Sequence, residues 1–280
     1  MKLVWLTDTH FDHLHGKGKF DGYGADIDAD AILISGDIAE SNTIVPLLEH
    51  FAMQFLKPIY FVLGNHDFYM GSIFDIKAKV ANAFHDTLAT FLDNAEPCIL
   101  DDSTAVTGHS GFYDAVFGDP YHSRVEMGDF SIIEELKSNF QRAAWSYPYA
   151  RGRLIKFLEK LGKAAAHEAR SSLLKALELR RDVIFLTHVP PFREVSVHKG
   201  KISNDDWMPW FSSAAMGDML EEVAADHPNN RILVLAGHSH GESRSVRSKN
   251  LVALGGKADY GHRITAGEFT LPLQDELWES

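Results

Sequence analysis

Five short apolar runs, rich in Val, Ile and Leu, punctuate the chain, and each opens onto residues that can bind a metal. Residues 2–7 run into Asp8 and His10, 31–35 into Gly36-Asp37, and 59–63 into Gly64-Asn65-His66-Asp67. Further on, 183–187 run into His188 and 232–236 into Gly237-His238-Ser239-His240. Runs of this length, bounded by Gly and polar residues, predict buried strands. Between them the pattern changes period. Residues 43–56 predict a helix, and a longer one is expected over 72–92, where Ile73, Ile76, Val80, Ala83, Phe84, Leu88 and Phe91 keep close to a helical repeat. Strand–helix–strand alternation implies parallel pairing through right-handed crossovers.

Two short strands are expected near 97–100 and 104–107, after which the strand signal disappears. Residues 129–139 and 153–179 read as helices, separated by Tyr147-Pro148-Tyr149. Strands resume at Val183, Ile232, 243–246, 251–254 and 269–273, with a further helix over 214–225. The late strands lack intervening helices and are expected to pair antiparallel. The fold class is therefore α/β. Candidate ligands come from both halves of the chain, so 1–280 reads as a single domain, with 108–180 as an insertion capping the site.

In open α/β sheets ligands sit beyond the carboxyl ends of the strands, so five such ends would gather their Asp, Asn and His side chains in one place. Asp8 and His10 are one residue apart, as are His238 and His240, so in extended segments each pair points the same way. Carboxylates and neutral imidazoles suit Mn, Fe or Zn, alone or as a mixed pair, rather than Ca. Two such ions about 3.5–4 Å apart can share a hydroxide, lower the pKa of water from about 15.7 to roughly 7, and clamp both oxygens of an in-line displacement at phosphorus. Competing chemistries leave no signature: there is no G-x-S-x-G elbow, phosphate-binding G-x-x-x-x-G-K-[ST] loop or H-E-x-x-H helix.

Charge and composition narrow the setting. The net charge of −12, from 27 basic against 39 acidic residues, makes the chain a poor candidate for nucleic-acid binding. No run approaches the ~20 apolar residues of a membrane span. Lys2 is followed by only Leu-Val-Trp-Leu before Thr7-Asp8, too short for a secretory signal, and Cys98 is the single cysteine. A cytoplasmic protein is expected, with a disulfide-free periplasmic one as the alternative.

The ordered set Asp8-x-His10, Gly36-Asp37, Gly64-Asn65-His66-Asp67, His188 and Gly237-His238-x-His240 resembles the calcineurin-like metallophosphoesterase superfamily. Near-equal intervals from Asp8 to Asp37 and from Asp37 to Asn65 belong to the same likeness, as does Thr187-His188-Val189-Pro190-Pro191; Ser239 stands where many relatives have Thr. The resemblance implies a two-sheet α/β sandwich with two transition-metal ions. Asp8, His10 and His240 would bind the first, Asn65, His188 and His238 the second, and Asp37 would bridge them. His66 would contact the phosphate and protonate the leaving oxygen, and Asp67 would orient the His66 imidazole. Monoester, diester and nucleotide substrates all fit this reading. A nuclease of the same superfamily and a non-catalytic metal-binding scaffold are the alternatives.

Other side chains admit plain explanations. His13 and His15 follow the first strand and could reach the site, although exposed loop histidines suffice. His109 and His262 flank short strands and could touch substrate. Trp207 and Trp210 suit an aromatic wall or ordinary packing. Arg124, Arg142, Arg151 and Arg153 lie in the expected cap, where solvation is the simpler role.

Overall fold

A computed structural model describes residues 1–14, 20–93, 95–140 and 151–279. His15, Arg142 and the 147–149 break lie outside them. In chain order the strands are β1 (Lys2–Leu6), β2 (Ala31–Ser35), β3 (Ile59–Val62), β4 (Ala89–Phe91), β5 (Cys98–Ile99), β6 (Thr104–Gly108), β7 (Asp182–Thr187), β8 (Val197–His198), β9 (Lys201–Ile202), β10 (Arg231–Ala236), β11 (Ser243–Ser248), β12 (Leu251–Gly255) and β13 (Gly267–Thr270). The helices are α1 (Phe11–Leu14), α2 (Ile44–Phe55), α3 (Ile73–Ala83), α4 (Asp129–Ile132), α5 (Glu134–Lys137), α6 (Gly152–Leu179), α7 (Met208–Phe211) and α8 (Ala214–Asp226).

The strands form two main sheets, ordered β13-β1-β2-β3-β4 and β11-β12-β10-β7-β6-β5. Alternation along each strand explains why both can be buried on both faces. Leu3, Trp5 and Leu33 point between the sheets, where they meet Ile184, Leu186, Leu233 and Leu235. Val4, Leu6, Ile32 and Ile34 point the other way, into a core shared with Leu48 and Phe51 of α2 and Val80 of α3. On the far side Val183, Phe185, Ile232 and Val234 pack with residues of α6 and α8. The result is a mixed α/β sandwich of two parallel-rich sheets between helical layers.

Three expectations change. The helix over 72–92 ends at Ala83, and 89–91 form β4 instead, paired parallel with β3. Its helical period continues by coincidence, because Asp86 adopts a left-handed φ of 57° and Thr87 bonds its hydroxyl to the Phe84 and Ala89 carbonyls, turning the chain back to the sheet. The helix over 129–139 is two short ones, broken at Ile133, whose extended backbone lets the Glu135 carboxylate accept from Ser72 Oγ (2.6 Å) and the Ile73 amide (2.9 Å) at the start of α3. Of the late strands, β11 pairs antiparallel with β12 and β13 antiparallel with β1, but β12 runs parallel to β10.

The segment 108–180 divides into two parts. In α6 a stripe of small and apolar residues (Ala165, Ala169, Leu173, Ala176) lies in one core with Val183 and Phe185 of β7 and Leu220 of α8, so this helix is an outer layer of the sandwich. Residues 109–140 reach the carboxyl ends of the strands instead, bringing Tyr113, Met127 and Asp129 to the candidate site.

Candidate metal centre

The strand ends are stitched together before any side chain is considered. The amides of Asp8 and His10 donate to the carbonyls of Gly36 and Asp37 (both 3.0 Å), and the Gly237 amide donates to the His188 carbonyl (2.8 Å). These turns are tight. Asp8, His10, Asp37, His238 and His240 have φ of 48°, 40°, 50°, 67° and 59°, a region that Asp and His tolerate better than most residues but still at a cost. Close approach also excludes side chains: a Cβ at Gly64 would overlap Asp37 Oδ1 and lie 2.6 Å from His188 Cε1.

All seven expected ligands converge. One group brings donor atoms of Asp8, His10 and His240 within 4.8 Å of one another, a second those of Asp37, His188 and His238, and a third those of His10, Asp37 and His66. Asp37 stands between them, with Oδ1 3.3 Å from His188 Nε2 and Oδ2 3.9 Å from His10 Nε2. Asn65 Oδ1 lies 3.1 Å from His188 Nε2, which adds it to the second group. His240 Nε2 is 3.2 Å from Asp8 Oδ1.

The outer contacts aim these rings inward, as partners of metal-binding imidazoles commonly do. His188 Nδ1 donates to the Ser35 carbonyl (2.9 Å), turning Nε2 to the centre. His238 Nε2 donates to the Trp210 carbonyl (2.9 Å), leaving Nδ1 as its ligating atom. Asp8 accepts from the Thr7 hydroxyl (2.7 Å) and the His238 amide (3.0 Å).

The donor set fits metal ions on one decisive observation: His10 Nε2 is buried and has no hydrogen-bond partner among the described residues. Buried polar nitrogens are almost always satisfied, so an orphaned one aimed at two carboxylates and several imidazoles calls for a cation. Burial takes the His10 imidazole down to about 3 and, with the charge of His188, the His238 imidazole down to about 4. Both are thus neutral, the form that ligates. Burial alone would raise the Asp8 carboxyl, but His240 beside it brings it down to about 2. Burial alone would lower His188, yet the Asp37 carboxylate lifts it to about 9 and is itself held well below the usual carboxylate range.

One expected role needs correction. Asp67 does not orient His66. Its carboxylate is fully buried and accepts three backbone amides, those of Ile38 and Ala39 on Oδ1 (both 2.8 Å) and of Gly64 on Oδ2 (2.7 Å). It staples the turn after β2 to the turn after β3, because three converging N–H groups leave the carboxylate no freedom to reach the imidazole. Two phenols the sequence did not single out come within hydrogen-bonding reach of the His66 ring. Tyr69 OH lies 3.2 Å from His66 Nε2 and Tyr260 OH 3.4 Å. Tyr260, 44% exposed, also stacks on the His10 ring at 4.3 Å.

The remaining candidates scatter. His13 is exposed at the edge, its ring 5.7 Å from that of His10. His109 is buried away from the centre, 3.1 Å from Glu168, and His262 is exposed beside Asp259. Trp210 is core; Trp207 is exposed and meets Phe211 edge-on, and the Phe211 ring lies 4.6 Å from that of His238. Arg151 is buried, spending its guanidinium on the Pro120 and Ser123 carbonyls, Arg153 donates to Asn139, and Arg124 is exposed. The open part of the site is a cavity of about 180 Å³ whose walls include Met127, Phe211, His198 and Tyr260.

A His- and Asp-rich donor cluster at the carboxyl ends of two facing, parallel-rich sheets defines a metallophosphoesterase-type fold and site. The chain belongs to the calcineurin-like phosphoesterase family, whose profile matches residues 1–242. No curated protein gives a match. Among the solved structures that share the fold are two at low sequence identity. One is a phosphopantetheinyl hydrolase from Mycobacterium tuberculosis, with a TM-score of 0.59 and 14% identity over 93% of this chain and 90% of that one. The other is a dimetal phosphatase from Danio rerio, with a TM-score of 0.52 and 11% identity over 92% of this chain and 87% of that one.

Proposed function

We propose that this protein hydrolyses a phosphate ester with the help of two transition-metal ions. Asp8, His10 and His240 would hold one ion, Asn65, His188 and His238 the other, with Asp37 shared. The observation that carries the reading is the placement of Asp37, whose two oxygens face different donor groups, beside a His10 Nε2 that has no hydrogen bond among the described residues. When bound, the ions supply Lewis acidity and an activated water for in-line attack on phosphorus.

The chain's own residues do the rest. His66 sits at the rim of the donor groups, with Nε2 3.9 Å from Asp37 Oδ2, where it can carry a proton to the departing ester oxygen. Tyr69 packs flat against the imidazole, ring centroids 4.1 Å apart, and limits its rotation. Tyr260 closes one side of the cavity over His10 and keeps bulk water from that face. Met127, Phe211 and Tyr260 present apolar surface to the ester arm, which favours an arm with an aromatic or aliphatic face. Residues 109–140 act as the capping element, and a cytoplasmic setting belongs to the same reading.

The test is a screen of the protein loaded with Mn, Fe or Zn against generic monoesters, diesters and nucleotides. Metal-dependent turnover of at least one class is expected. A metal-loaded protein inert toward all of them would replace this reading with the non-catalytic scaffold. Preference for single-stranded or duplex nucleic acid would move it to a nuclease.

A further inference from the structure

Asp129 opens α4, is fully buried, and enters the centre from the segment between β6 and α6. Its Oδ2 accepts from Asn65 Nδ2 and from the Tyr113 hydroxyl (both 3.0 Å), and its Oδ1 accepts from the Tyr69 hydroxyl (2.7 Å). We propose that Asp129 is a positioning residue that decides which atom of the Asn65 amide faces the metal centre. The inference rests on the metal-binding reading above.

The reasoning is one of donors and acceptors. A carboxylate can only accept, so the Asn65 atom beside Asp129 must be its NH2 group. The carbonyl oxygen is thereby turned the other way, to within 3.1 Å of His188 Nε2 and into the second donor group. An amide oxygen can ligate a cation, whereas an amide NH2 has no lone pair to offer it. Tyr69 on Oδ1 and Tyr113 on Oδ2 hold the carboxylate from both oxygens, so it cannot swing away and release the amide without breaking those bonds. Both phenols belong to the same wall: Tyr69 lies against His66, and the Tyr113 ring is 6.1 Å from that of His238. A residue from outside the five strand-end motifs thus sets the orientation of a side chain within them.

The experiment is calorimetric titration of Mn²⁺ into the metal-stripped full chain, with folding followed by circular dichroism. The unsubstituted protein is expected to take up two ions; if it takes up none, the metal reading fails and this inference with it. In Asp129→Ala one of the two sites should weaken by about 10–100-fold while the other keeps its affinity, the usual scale for losing a partner of a metal ligand. The exchange variant Asn65→Asp with Asp129→Asn again sets an acceptor against a donor, and should bind both ions within several-fold of the unsubstituted protein. Wild-type affinity at both sites in Asp129→Ala would overturn the inference, even with a lowered melting temperature, since that is what a purely structural carboxylate predicts. An exchange variant as weak as Asp129→Ala would also overturn it. Should Asp129→Ala fail to fold, the exchange variant decides alone: two intact sites support the inference and one lost site refutes it.

Discussion

Replacing Asp67 separates two ideas of what a buried carboxylate beside a site histidine does. In Asp67→Ala the amides of Ile38, Ala39 and Gly64 lose their acceptor in a place closed to solvent. A buried donor left unsatisfied costs about 1–3 kcal/mol, and water entering the vacated space would recover part of it, so about 4–6 kcal/mol is expected in total. That is a large share of the ~5–15 kcal/mol that holds a typical domain together. Asp67→Asn is the finer probe. Its oxygen can keep Ile38 and Ala39, but its NH2 then opposes the Gly64 amide, one bond lost and two donors facing, for about 2–4 kcal/mol. Both variants should also loosen Asp37, which is bonded into the same pair of turns through the His66 amide (2.8 Å), and so lower metal content. The assay is urea unfolding with and without Mn²⁺, alongside metal analysis and turnover. If Asp67→Asn kept its urea midpoint and both metals while turnover fell by the ~10–100-fold typical of a ligand's partner, the stapling argument would be wrong and an action through His66 restored.

Three further outcomes follow from the same geometry. Gly64→Ala would drive a methyl into Asp37 Oδ1 and against His188, so metal content should drop sharply in a chain that still folds; two ions retained at full occupancy would show that the turn can yield. His66→Gln should keep both metals and slow esters with poor leaving groups most, and equal slowing across a leaving-group series would count against proton donation. Asp93, bonded to the Ser110 amide and hydroxyl (both 2.7 Å) and 2.6 Å from Lys77, is held below its ordinary pKa by His109 and Lys77 despite its burial. Its stabilising effect is present above the unfolded value of about 3.9 and lost as pH falls through the lower folded one, so Asp93→Asn should destabilise the protein at pH 7 and flatten the decline in stability as pH falls below about 4. Parallel stability profiles for the two proteins would refute that assignment.

The strands were legible because burial on both faces writes itself as an unbroken apolar run, as in 31–35 and 232–236, and the polar residue closing each run is the one delivered to the centre. The end of α3 was not. Leu88 and Phe91 fall in phase with the helix by chance, and only the left-handed Asp86 and the pairing of β4 with β3 break the pattern. The same limit applies at the site. Tyr260 meets His66 across 194 residues and Asp129 meets Asn65 across 64, and neither carries a local sign that marks it from any other Tyr or Asp. Asp67 misled for a related reason, since adjacency to His66 in sequence suggests contact, whereas in a tight turn neighbouring side chains diverge.

The strain in those turns bears on how the site is held. Five expected ligands have left-handed backbones, at a cost of about 1–3 kcal/mol for each residue in such a region. Asp37 and Asp8 are drawn to histidines, whereas His10 Nε2 has no hydrogen bond among the described residues and lies 3.9 Å from Asp37 Oδ2. The turns therefore persist because the surroundings impose them: the backbone stitches between β1 and β2, the Asp67 staple, and two sheets whose buried side chains leave the strand ends nowhere else to go. A centre preformed in this way would bind cations without first having to order its ligands. Binding should then raise thermal stability while changing the backbone little, which links the cost carried by these turns to the affinity they make possible.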